Sequence, residues 1–431
     1  MATVLTVVFA YRRTGKFAFH VLSGALAADP RTAKVAQVFA NGPAAIVSAV
    51  RDALAAADAA VAAPAPAHRV LVAWSFYTPD FAPAVAELQT VRSACRDPRV
   101  VHVAGGVHAT AEPEATLRAG WDLVATGEGE RTIVDLVLAG QAGHELAIVP
   151  GTAALAGDRL RRTPRGERLQ LDDCPPFSLA HGRFGPIEIT RGCIYACRFC
   201  QTPYFAGAAF RHRSVANVRY WVRELVARGF RDFRFLTPTS LSYGTYGPDP
   251  DLAAVEALLA GVREDIGPER RLWFGTFPSE VRPEHVTAPS LVLLRRFVTN
   301  RALILGGQSG SDRVLAASER GHDAATVERA AALALEHGFV PHVDFLFGLP
   351  GETPDDVSAT LQCMDRLVAR GAKAHGHTFL PLPGTPFRRA APGRLTAEVR
   401  QQLLRLASRG VLYGQWQQQE ETAARLAVPP S

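Results

Sequence analysis

Short apolar runs alternate with helix-length amphipathic segments through the first third of the chain. The apolar runs are rich in β-branched residues and read TVLTVVFA, AKVAQVF, RVLVAWS, RVVHVAG and WDLVATG. Such alternation is typical of parallel strands that are joined by crossover helices. Residues 1–148 are therefore predicted to form a doubly wound, Rossmann-like α/β domain with about five strands, with helices near residues 17–28 and from about Ala44 and Pro83.

The pattern changes in residues 149–185, where glycine, proline and charged residues cluster without a long helical period. We interpret this stretch as a linker with a short hairpin. Alternation resumes at Pro186, and six successive βα units predict an incomplete (β/α)6 barrel over residues 186–390. Residues 391–431 are then predicted to form one last helix, over about 395–420, and a polar tail. The six strand candidates of the barrel are PIEITRG, DFRFLTP, RLWFGTF, ALILGG, FVPHVDFLFG and AKAHGHTFL.

The composition is that of an ordinary globular protein, with 48% hydrophobic and 20% charged residues among 431. No apolar run reaches the ~20 residues of a membrane-spanning helix; Asp58, Pro64 and Pro66 interrupt the alanine-rich segment, for example. The N-terminal apolar run precedes its first charges, which is the reverse of a secretory signal peptide. We therefore expect a cytoplasmic protein without a membrane partner.

Basic residues slightly outnumber acidic ones, and the net charge of +6 is mild for this length. The richest basic patch runs from Arg211 to Arg234, where the spacing places most arginines on the outer face of a helix. This spacing favours a solvated surface, and a role facing substrate or RNA is the alternative.

Three of the six cysteines, Cys193, Cys197 and Cys200, lie within eight residues, directly after a predicted strand and Gly192. A structural zinc site normally closes with four ligands, and no second CxxC or HxxxH pair accompanies the triplet. Three thiolates on a cubane iron–sulfur cluster leave one iron open to bind a substrate directly. The spacing favours such a cluster over a zinc knuckle or three buried thiols.

The CxxxCxxC motif, with Phe199 before its last cysteine, resembles the signature of the radical SAM superfamily. The ends of the fourth, fifth and sixth barrel strands, GGQSGSDRVL, FLFGLPGET and FLPLPGTPF, resemble the cofactor-facing strand ends of that superfamily. The resemblance implies a 4Fe-4S cluster on the three cysteines, with S-adenosylmethionine on the fourth iron and reductive cleavage to a 5′-deoxyadenosyl radical. It also implies an electron donor such as flavodoxin or ferredoxin.

The predicted strand ends offer polar groups to S-adenosylmethionine. Many relatives carry an acidic residue after the second strand, where this chain has FLTPTSLSYG, and a surface position is the alternative for Glu280. The candidate residues for this cofactor are Phe199, Thr237, Thr239, Ser279, Glu280, Gln308, Ser309 and Gly348.

Three strand ends of the N-terminal domain, AWSFYTPD, AGGVHATAEPE and ATGEGE, resemble the cobalamin-binding domain that precedes many radical SAM enzymes. In open α/β sheets, ligands bind beyond the carboxyl ends of the strands. The candidate cobalamin residues are Ser75, Tyr77, Thr78, Gly105, Gly106, His108, Thr110, Gly127, Glu128, Gly129 and Glu130.

The Asp-x-His-x-x-Gly motif that supplies a lower cobalt ligand in many cobalamin proteins is absent. We therefore expect no protein nitrogen on cobalt, and ligation by His108 is the alternative. Nucleotide binding, or a vestigial domain retained for packing, are the other interpretations of this domain.

These resemblances imply a cobalamin-dependent radical SAM methyltransferase that acts on an unactivated centre of an unidentified small-molecule or peptide substrate. We expect the open top of the barrel to face the cobalamin. The alternatives are ring-forming or oxidative radical chemistry, an RNA methylthiotransferase-like activity, and a cobalamin or redox sensor without catalysis. Nucleic acid is not the favoured partner, because we find no added RNA-binding module in the sequence.

Overall fold

The structure of the protein is a computed structural model that describes residues 5–59 and 70–426. Its internal contacts divide the chain into two units, Met1–Gly185 and Pro186–Ser431. Some sequence-based expectations fall on residues outside the described part: the first two residues of the run TVLTVVFA, the interrupting prolines Pro64 and Pro66, and the end of the polar tail, residues 427–431.

The first unit is built on one mainly parallel sheet. Its strands are β1 (Thr6–Ala10), β2 (Ala36–Ala40), β3 (Val70–Ser75), β4 (Val100–Gly105), β5 (Leu123–Ala125), β6 (Thr152–Ala156) and β7 (Arg159–Arg162). The sheet has the order β2-β1-β3-β4-β5-β6-β7, and β1 to β5 are parallel. The strand order reverses between β1 and β3, which is the switch point where ligands bind in doubly wound folds.

Helices cover both faces of this sheet, as the sequence pattern predicts. They are α1 (Lys16–Ala28), α2 (Pro43–Ala59), α3 (Phe81–Ala94), α4 (Gly106–Ala111), α5 (Pro113–Arg118) and α6 (Gly129–Ala142). Successive strand residues face opposite sides, so Val8 packs in the core under α2 and α3, whereas Val7 packs in the core under α1 and α6. The predicted doubly wound α/β fold is confirmed.

The segment 149–185 packs as part of the first unit. Its predicted hairpin is β6–β7, and β6 pairs with β5 in antiparallel register, Val124 opposite Ala153. The hairpin therefore covers the edge of β5, which would otherwise present unpaired backbone groups. Farther along the segment, Phe177 lies close to α1: a Cβ on Gly24 would lie 2.7 Å from the carbonyl oxygen of Phe177.

The second unit has a succession of mainly parallel strands, of which one short pair, Arg211–His212 with Thr190–Arg191, is antiparallel. They are β8 (Ile187–Glu188), β9 (Thr190–Arg191), β10 (Arg211–His212), β11 (Asp232–Leu236), β12 (Arg271–Trp273), β13 (Ala302–Gln308), β14 (Val340–Phe347), β15 (Lys373–Thr378) and β16 (Leu412–Tyr413). The orders are β12-β11-β8 and β13-β14-β15-β16, and the parallel bridge from Val281 to Leu305 connects the two sheets. Strands β8 and β11 to β15 are the six predicted strands, in sequence order.

The helices of this unit follow its strands. They are α7 (Thr202–Ala206), α8 (Val215–Ala227), α9 (Leu252–Ile266), α10 (Ala288–Phe297), α11 (Asp312–Ala317), α12 (Ala324–Glu336), α13 (Pro354–Ala369), α14 (Ala397–Ser408) and α15 (Trp416–Leu426). Side-chain caps begin several of them, as Ser214 begins α8 and Thr353 begins α13. Within the described residues, every helix is too short or too polar to cross a membrane.

The prediction of a single last helix over 395–420 is wrong. The chain leaves the helical conformation after α14, forms the short strand β16 beside β15, and begins α15 at Trp416. Two glycines allow this path, because Gly410 and Gly414 have φ of +70° and +130°. A Cβ on Gly414 would lie 2.2 Å from the carbonyl oxygen of Gly376, so the close approach to β15 requires glycine here.

Gly414→Ala should destabilise the second unit more than Gly410→Ala. Both substitutions place a side chain at positive φ, at a cost of about 1–2 kcal/mol, but only Gly414 has backbone in the space of its Cβ; Gly410 has nothing within 4 Å. Thermal unfolding of the two variants measures the difference. Equal melting temperatures would contradict the close approach of β16 to β15.

Candidate active site

The three clustered cysteines lie on a loop between β9 and α7 that backbone contacts hold in place. The Cys193 N–H donates to the carbonyl of Gly207 at 3.0 Å, and the Cys200 N–H donates to that of Cys197 at 3.0 Å. Gly192 precedes the loop with φ +83°, and a Cβ there would lie 2.1 Å from the carbonyl oxygen of Ala209. The tight entry to the loop therefore requires glycine.

Tyr195, inside the loop, anchors it to neighbouring segments. Its hydroxyl donates to the carbonyl of Pro248 at 3.1 Å and lies 2.9 Å from Nε2 of His285. The Arg282 guanidinium lies 3.5 Å from the centre of its ring. These contacts hold the loop at its middle as well as at its ends.

Burial affects the acidity of the cysteine thiols. Burial raises the pKa of Cys193 to about 11 and also raises that of Cys200. Since metals bind the thiolate form, metal binding at this loop must displace thiol protons.

Arg320 lies beside the cysteine loop and was not foreseen from the sequence. It follows α11 and is 7% exposed; its Nη1 lies 3.4 Å from Sγ of Cys197, and its Nη2 donates to the carbonyl of Gly306 at 2.6 Å. The arginine in SERGH has no periodic signal that separates it from a surface arginine. The fold delivers a buried cation to the cysteine sulfur.

Glu280 and Gln308, two of the predicted residues, meet Arg320 around Gly306. A Cβ on Gly306 would lie 2.3 Å from Arg320 Nη2, 3.2 Å from Gln308 Nε2 and 3.2 Å from Glu280 Oε2. Gln308 has φ +71°, a conformation that non-glycine residues rarely adopt and that often marks functional sites. Three polar side chains from separate segments, after β12, at the end of β13 and after α11, therefore converge on one position.

Glu280 belongs to this interior group even though solvent reaches its side chain. Desolvation by the surrounding protein, and then the carboxylate of Asp344, raise its pKa to about 7, while Arg320 and His377 act in the opposite direction. These neighbours argue against the alternative of a plain surface carboxylate.

The other predicted residues of this site have more local partners. Thr237 Oγ1 donates to the carbonyl of Thr239 at 3.0 Å, and Ser279 Oγ donates to that of Thr276 at 3.1 Å. Ser309 is fully buried, with its hydroxyl 3.1 Å from that of Thr360 on α13. Of these hydroxyls, only that of Thr239 is buried without a partner in the described part of the chain.

Phe199 and Gly348 lie at the packed side of the cysteine loop. Phe199 packs against a cluster that contains Leu349 and Phe387. Gly348 has φ +76°, and a Cβ on it would lie 2.6 Å from Cα of Gly393. Phe199 thus packs the loop against later segments of the chain, and Gly348 allows the close approach of Gly393.

An Asp–His–His group, Asp344, His375 and His377, lies on β14 and β15 and was also missed. His375 Nδ1 lies 2.7 Å from Oδ1 of Asp344 and 3.2 Å from Nε2 of His377. No sequence motif joins these residues, because the β14–β15 register places His375 directly opposite Asp344. These three ligand atoms all lie within 4.8 Å of one another.

Gln419 on α15 contacts this Asp–His–His group and indicates which nitrogen of His377 carries the proton. The Thr378 N–H donates to Gln419 Oε1 at 3.0 Å, so the amide NH₂ of Gln419 faces His377 Nδ1 at 3.2 Å. His377 Nδ1 is therefore an acceptor and Nε2 carries the proton. Metal-bound histidines normally donate from their second nitrogen, so this arrangement favours a hydrogen-bonded network over a metal centre.

In the first unit, the predicted glycines and polar residues gather at the carboxyl ends of the strands. Gly106 follows β4 with φ +89°, and a Cβ there would lie 2.8 Å from Oγ of Ser75 at the end of β3. The Gly127 N–H donates to Oγ1 of Thr110 at 3.0 Å, and Glu128 accepts from the Leu169 N–H at 3.0 Å. Gly129 is the first residue of α6, and Glu130 beside it is buried. The side chain of Tyr77, after β3, is 48% exposed.

His108 points into the apolar core of the first unit. It is 5% exposed, its Nδ1 lies 3.1 Å from Oγ1 of Thr78, and its ring centre lies 4.3 Å from that of Phe81. Burial lowers its pKa to about 4, so the ring is neutral at pH 7. That His108 does not bind cobalt stays a prediction.

Residues 187–364 match the family described as the Radical SAM superfamily. The tRNA-2-methylthio-N(6)-dimethylallyladenosine synthase of Halorhodospira halophila (strain DSM 244 / SL1) is 31% identical over 304 residues, which cover 66% of this chain and 60% of the relative. The synthase of the same name from Sorangium cellulosum (strain So ce56) is 32% identical over 290 residues, 61% of this chain and 57% of the relative. The chain thus spans about 60% of the length of these curated relatives.

Two solved structures share the fold of both units. One is the radical S-adenosylmethionine methyltransferase TsrM from Kitasatospora setae, with cobalamin and a [4Fe-4S] cluster bound, at a TM-score of 0.65 and 20% identity over 90% of this chain and 74% of that one. The other is the cobalamin-dependent S-adenosylmethionine radical enzyme OxsB with aqua-cobalamin bound. Its TM-score is 0.65 and its sequence identity is 14%, over 97% of this chain and 56% of that one. Identities this low establish the fold alone.

Glu280→Gln should change how stability depends on pH. The pKa of Glu280 is about 7 in the folded protein and near its ordinary value of 4.5 when unfolded. Between these values the unfolded chain binds fewer protons, so wild-type stability falls as pH rises through this window. Glutamine does not titrate, and the unfolding free energy of the variant relative to wild type should therefore increase from about pH 5 to about pH 7.5.

Urea unfolding of the metal-free protein at several pH values measures this difference. Histidines far from Glu280 are common to both proteins and cancel in the comparison, whereas His377 interacts with Glu280 and contributes to the measured difference. Glu336→Gln, at the exposed end of α12, is the matched control and should give a difference that does not change with pH. The same flat difference for Glu280→Gln would show that Glu280 is an ordinary solvated carboxylate.

Proposed function

We propose that the protein is a cobalamin-dependent radical SAM enzyme that methylates an unactivated centre of a small-molecule or peptide substrate. The match of residues 187–364 to the Radical SAM superfamily supports this proposal. The observation that carries this proposal is the convergence of the cysteine loop, Arg320, Glu280 and Gln308 around Gly306. These groups meet near the carboxyl ends of parallel strands, where barrel enzymes hold their reactants.

The cysteine loop is the proposed holder of a 4Fe-4S cluster, with Cys193, Cys197 and Cys200 as its protein ligands. When bound with S-adenosylmethionine, this cluster supplies the reducing electron that yields a 5′-deoxyadenosyl radical. Three thiols on one loop, with Cys193 largely buried, fit a cluster with one open iron.

Arg320 and Glu280 supply opposite charges to the amino-acid part of S-adenosylmethionine. Arg320 is buried and its Nε–H is without a partner in the described residues, so it offers a desolvated cation to a carboxylate. Glu280 offers acceptor oxygens to an ammonium group. Charge attraction is stronger in such an enclosed place than in water, and these residues would therefore orient the cofactor. Gln308 and Thr239 add neutral donors and acceptors.

The strand ends of the first unit are the proposed cobalamin site. The switch point of the sheet lies between β1 and β3, and Gly106 follows β4, the neighbour of β3 on its other side. A side chain at Gly106 would fill the space beside Ser75, so glycine leaves the backbone accessible to a flat ligand. With His108 turned into the core, this site fits a cobalamin whose lower face has no protein ligand.

The cluster needs an outside source of electrons. A reduced flavodoxin or ferredoxin in the cytoplasm is the proposed donor, and we therefore place the reaction in that compartment.

An RNA methylthiotransferase-like activity is the second candidate function. It is favoured by the sequence relatives, which are tRNA-2-methylthio-N(6)-dimethylallyladenosine synthases at 31% and 32% identity. Incubation of the reduced protein with tRNA and methyl-labelled S-adenosylmethionine tests it. A labelled methylthio nucleoside in the digested tRNA would establish this activity in place of the favoured one.

Reduced, anaerobically reconstituted protein should cleave S-adenosylmethionine to 5′-deoxyadenosine and methionine without added substrate. It should hold about four irons, and changing Cys193, Cys197 and Cys200 together to Ala should abolish both iron and cleavage. Cys95→Ala, Cys174→Ala and Cys363→Ala, outside the loop, are the controls and should keep both. Stoichiometric zinc in place of iron would refute the proposal, and a loaded cluster without cleavage would favour the sensor.

Cobalamin should bind the first unit without nitrogen ligation to cobalt. Gly106→Val should weaken cobalamin binding by at least about tenfold, because the valine side chain would collide with Ser75 and with the ligand. His108→Ala should leave the electron paramagnetic resonance spectrum of cob(II)alamin unchanged, since an axial nitrogen would split the cobalt lines into triplets. Triplets that disappear in His108→Ala would show instead that His108 is a ligand.

A further inference from the structure

A segment rich in arginine lies directly against the cysteine loop. The Phe387 N–H donates to the carbonyl of Arg198 at 3.4 Å, and the Arg198 guanidinium lies 4.8 Å from the centre of the Phe387 ring. On the other side of Cys200, Gln201 Nε2 donates to the carbonyl of Pro383 at 2.7 Å. The segment 383–390 therefore contacts residues on both sides of Cys200.

This segment brings exposed positive charge to the loop. Arg388 and Arg389 follow Phe387 and both are exposed. Between Asp365 and Glu398 the chain has no acidic residue that could neutralise them locally. One exposed carboxylate, Glu319, acts on Tyr204 near the same loop, and it offsets only part of the charge. Arg198, Arg388 and Arg389 form what we call the arginine surface.

We propose that the arginine surface docks an acidic electron-transfer protein of the flavodoxin or ferredoxin class. This inference rests on the proposed function, in which the cluster receives its electron from another protein. The step is a transfer of one electron, in which the donor is oxidised, the cluster is reduced and no covalent bond changes. The arginines would guide the donor to the cluster, because complementary charge raises association rates.

The position and size of the surface favour a redox protein over RNA. Electron-transfer partners form small, transient interfaces, and a few charges beside the electron acceptor are sufficient for that purpose. An RNA-binding surface needs a longer basic stripe to follow the phosphate backbone. The charges here are concentrated where the backbone of segment 383–390 contacts the loop that carries Cys197 and Cys200.

The test compares two charge-reversed variants of the full-length, cluster-loaded protein. Arg388→Glu with Arg389→Glu reverses the proposed surface. Arg231→Glu with Arg301→Glu is the control, since both residues are exposed and lie immediately before β11 and β13, at the amino ends of parallel strands. Both pairs change the net charge equally. Stopped-flow bleaching of the cluster by a reduced flavodoxin gives the second-order rate constant of reduction.

The surface variant should be reduced by flavodoxin at least about tenfold more slowly than wild type at low salt. Added KCl should shrink this difference because it screens the charges. The control variant should react at nearly the wild-type rate. Photoreduction by an uncharged deazaflavin should be equal in all three proteins, which would show that the clusters themselves are equivalent. Fluorescence titration of oxidised flavodoxin gives a second readout, with weaker binding expected for the surface variant.

The proposal would be overturned if wild type and the surface variant were reduced at equal rates, or if both variants lost the same fraction of the rate. A wild-type rate that does not change with salt would also overturn it. Loss of tRNA binding with unchanged flavodoxin reduction would assign the surface to RNA instead. If the double charge reversal prevents cluster loading, Arg388→Gln with Arg389→Gln replaces it, with a smaller loss of rate expected. A photoreduced protein that fails to cleave S-adenosylmethionine would refute the proposed function, while the reduction rates still test docking.

Discussion

Parallel strands deliver the residues that follow them to one edge of a sheet, and both units of this protein depend on that constraint. In the first unit it brings Ser75 and Gly106 into contact, although β3 and β4 are separated by a helix. In the second unit it gathers Glu280 and Gln308 near the loop of the first strand. The candidate cofactor sites therefore follow from strand direction, and short loops supply their chemistry.

Close backbone approach is the second requirement of these sites. Gly192, Gly306 and Gly414 each have an atom within 2.3 Å of where a Cβ would be. At Gly192 and Gly414 the neighbour is a carbonyl oxygen of the backbone, which cannot move aside as a flexible side chain can. At Gly306 it is the guanidinium of Arg320. Gly192 therefore makes room for the cysteine loop, Gly306 for the side chain of Arg320, and Gly414 for the approach of β16 to β15.

Buried charge gives the second unit its electrostatic character. Arg320 places a cation beside Cys197, and Glu280 and Asp344 place two carboxyl groups near it. Asp344 remains the ionised partner, because hydrogen bonds from His375 and His377 lower its pKa in spite of burial. Glu280 holds its proton to near neutral pH. The charge of this group of side chains therefore changes as the pH passes through about 7.

The sequence by itself determined the alternation of strands and helices, the cysteine loop and the glycine-rich strand ends, because these depend on periodicity and on spacing within a few residues. Only the tertiary structure decided which distant side chains meet: Arg320 with Cys197, and His375 with Asp344 and Tyr413. It also showed that the predicted last helix is divided, where β16 pairs with β15 between Gly410 and Gly414. Such contacts join residues far apart in the chain, and they depend on strand register and close approach, which local sequence patterns do not encode.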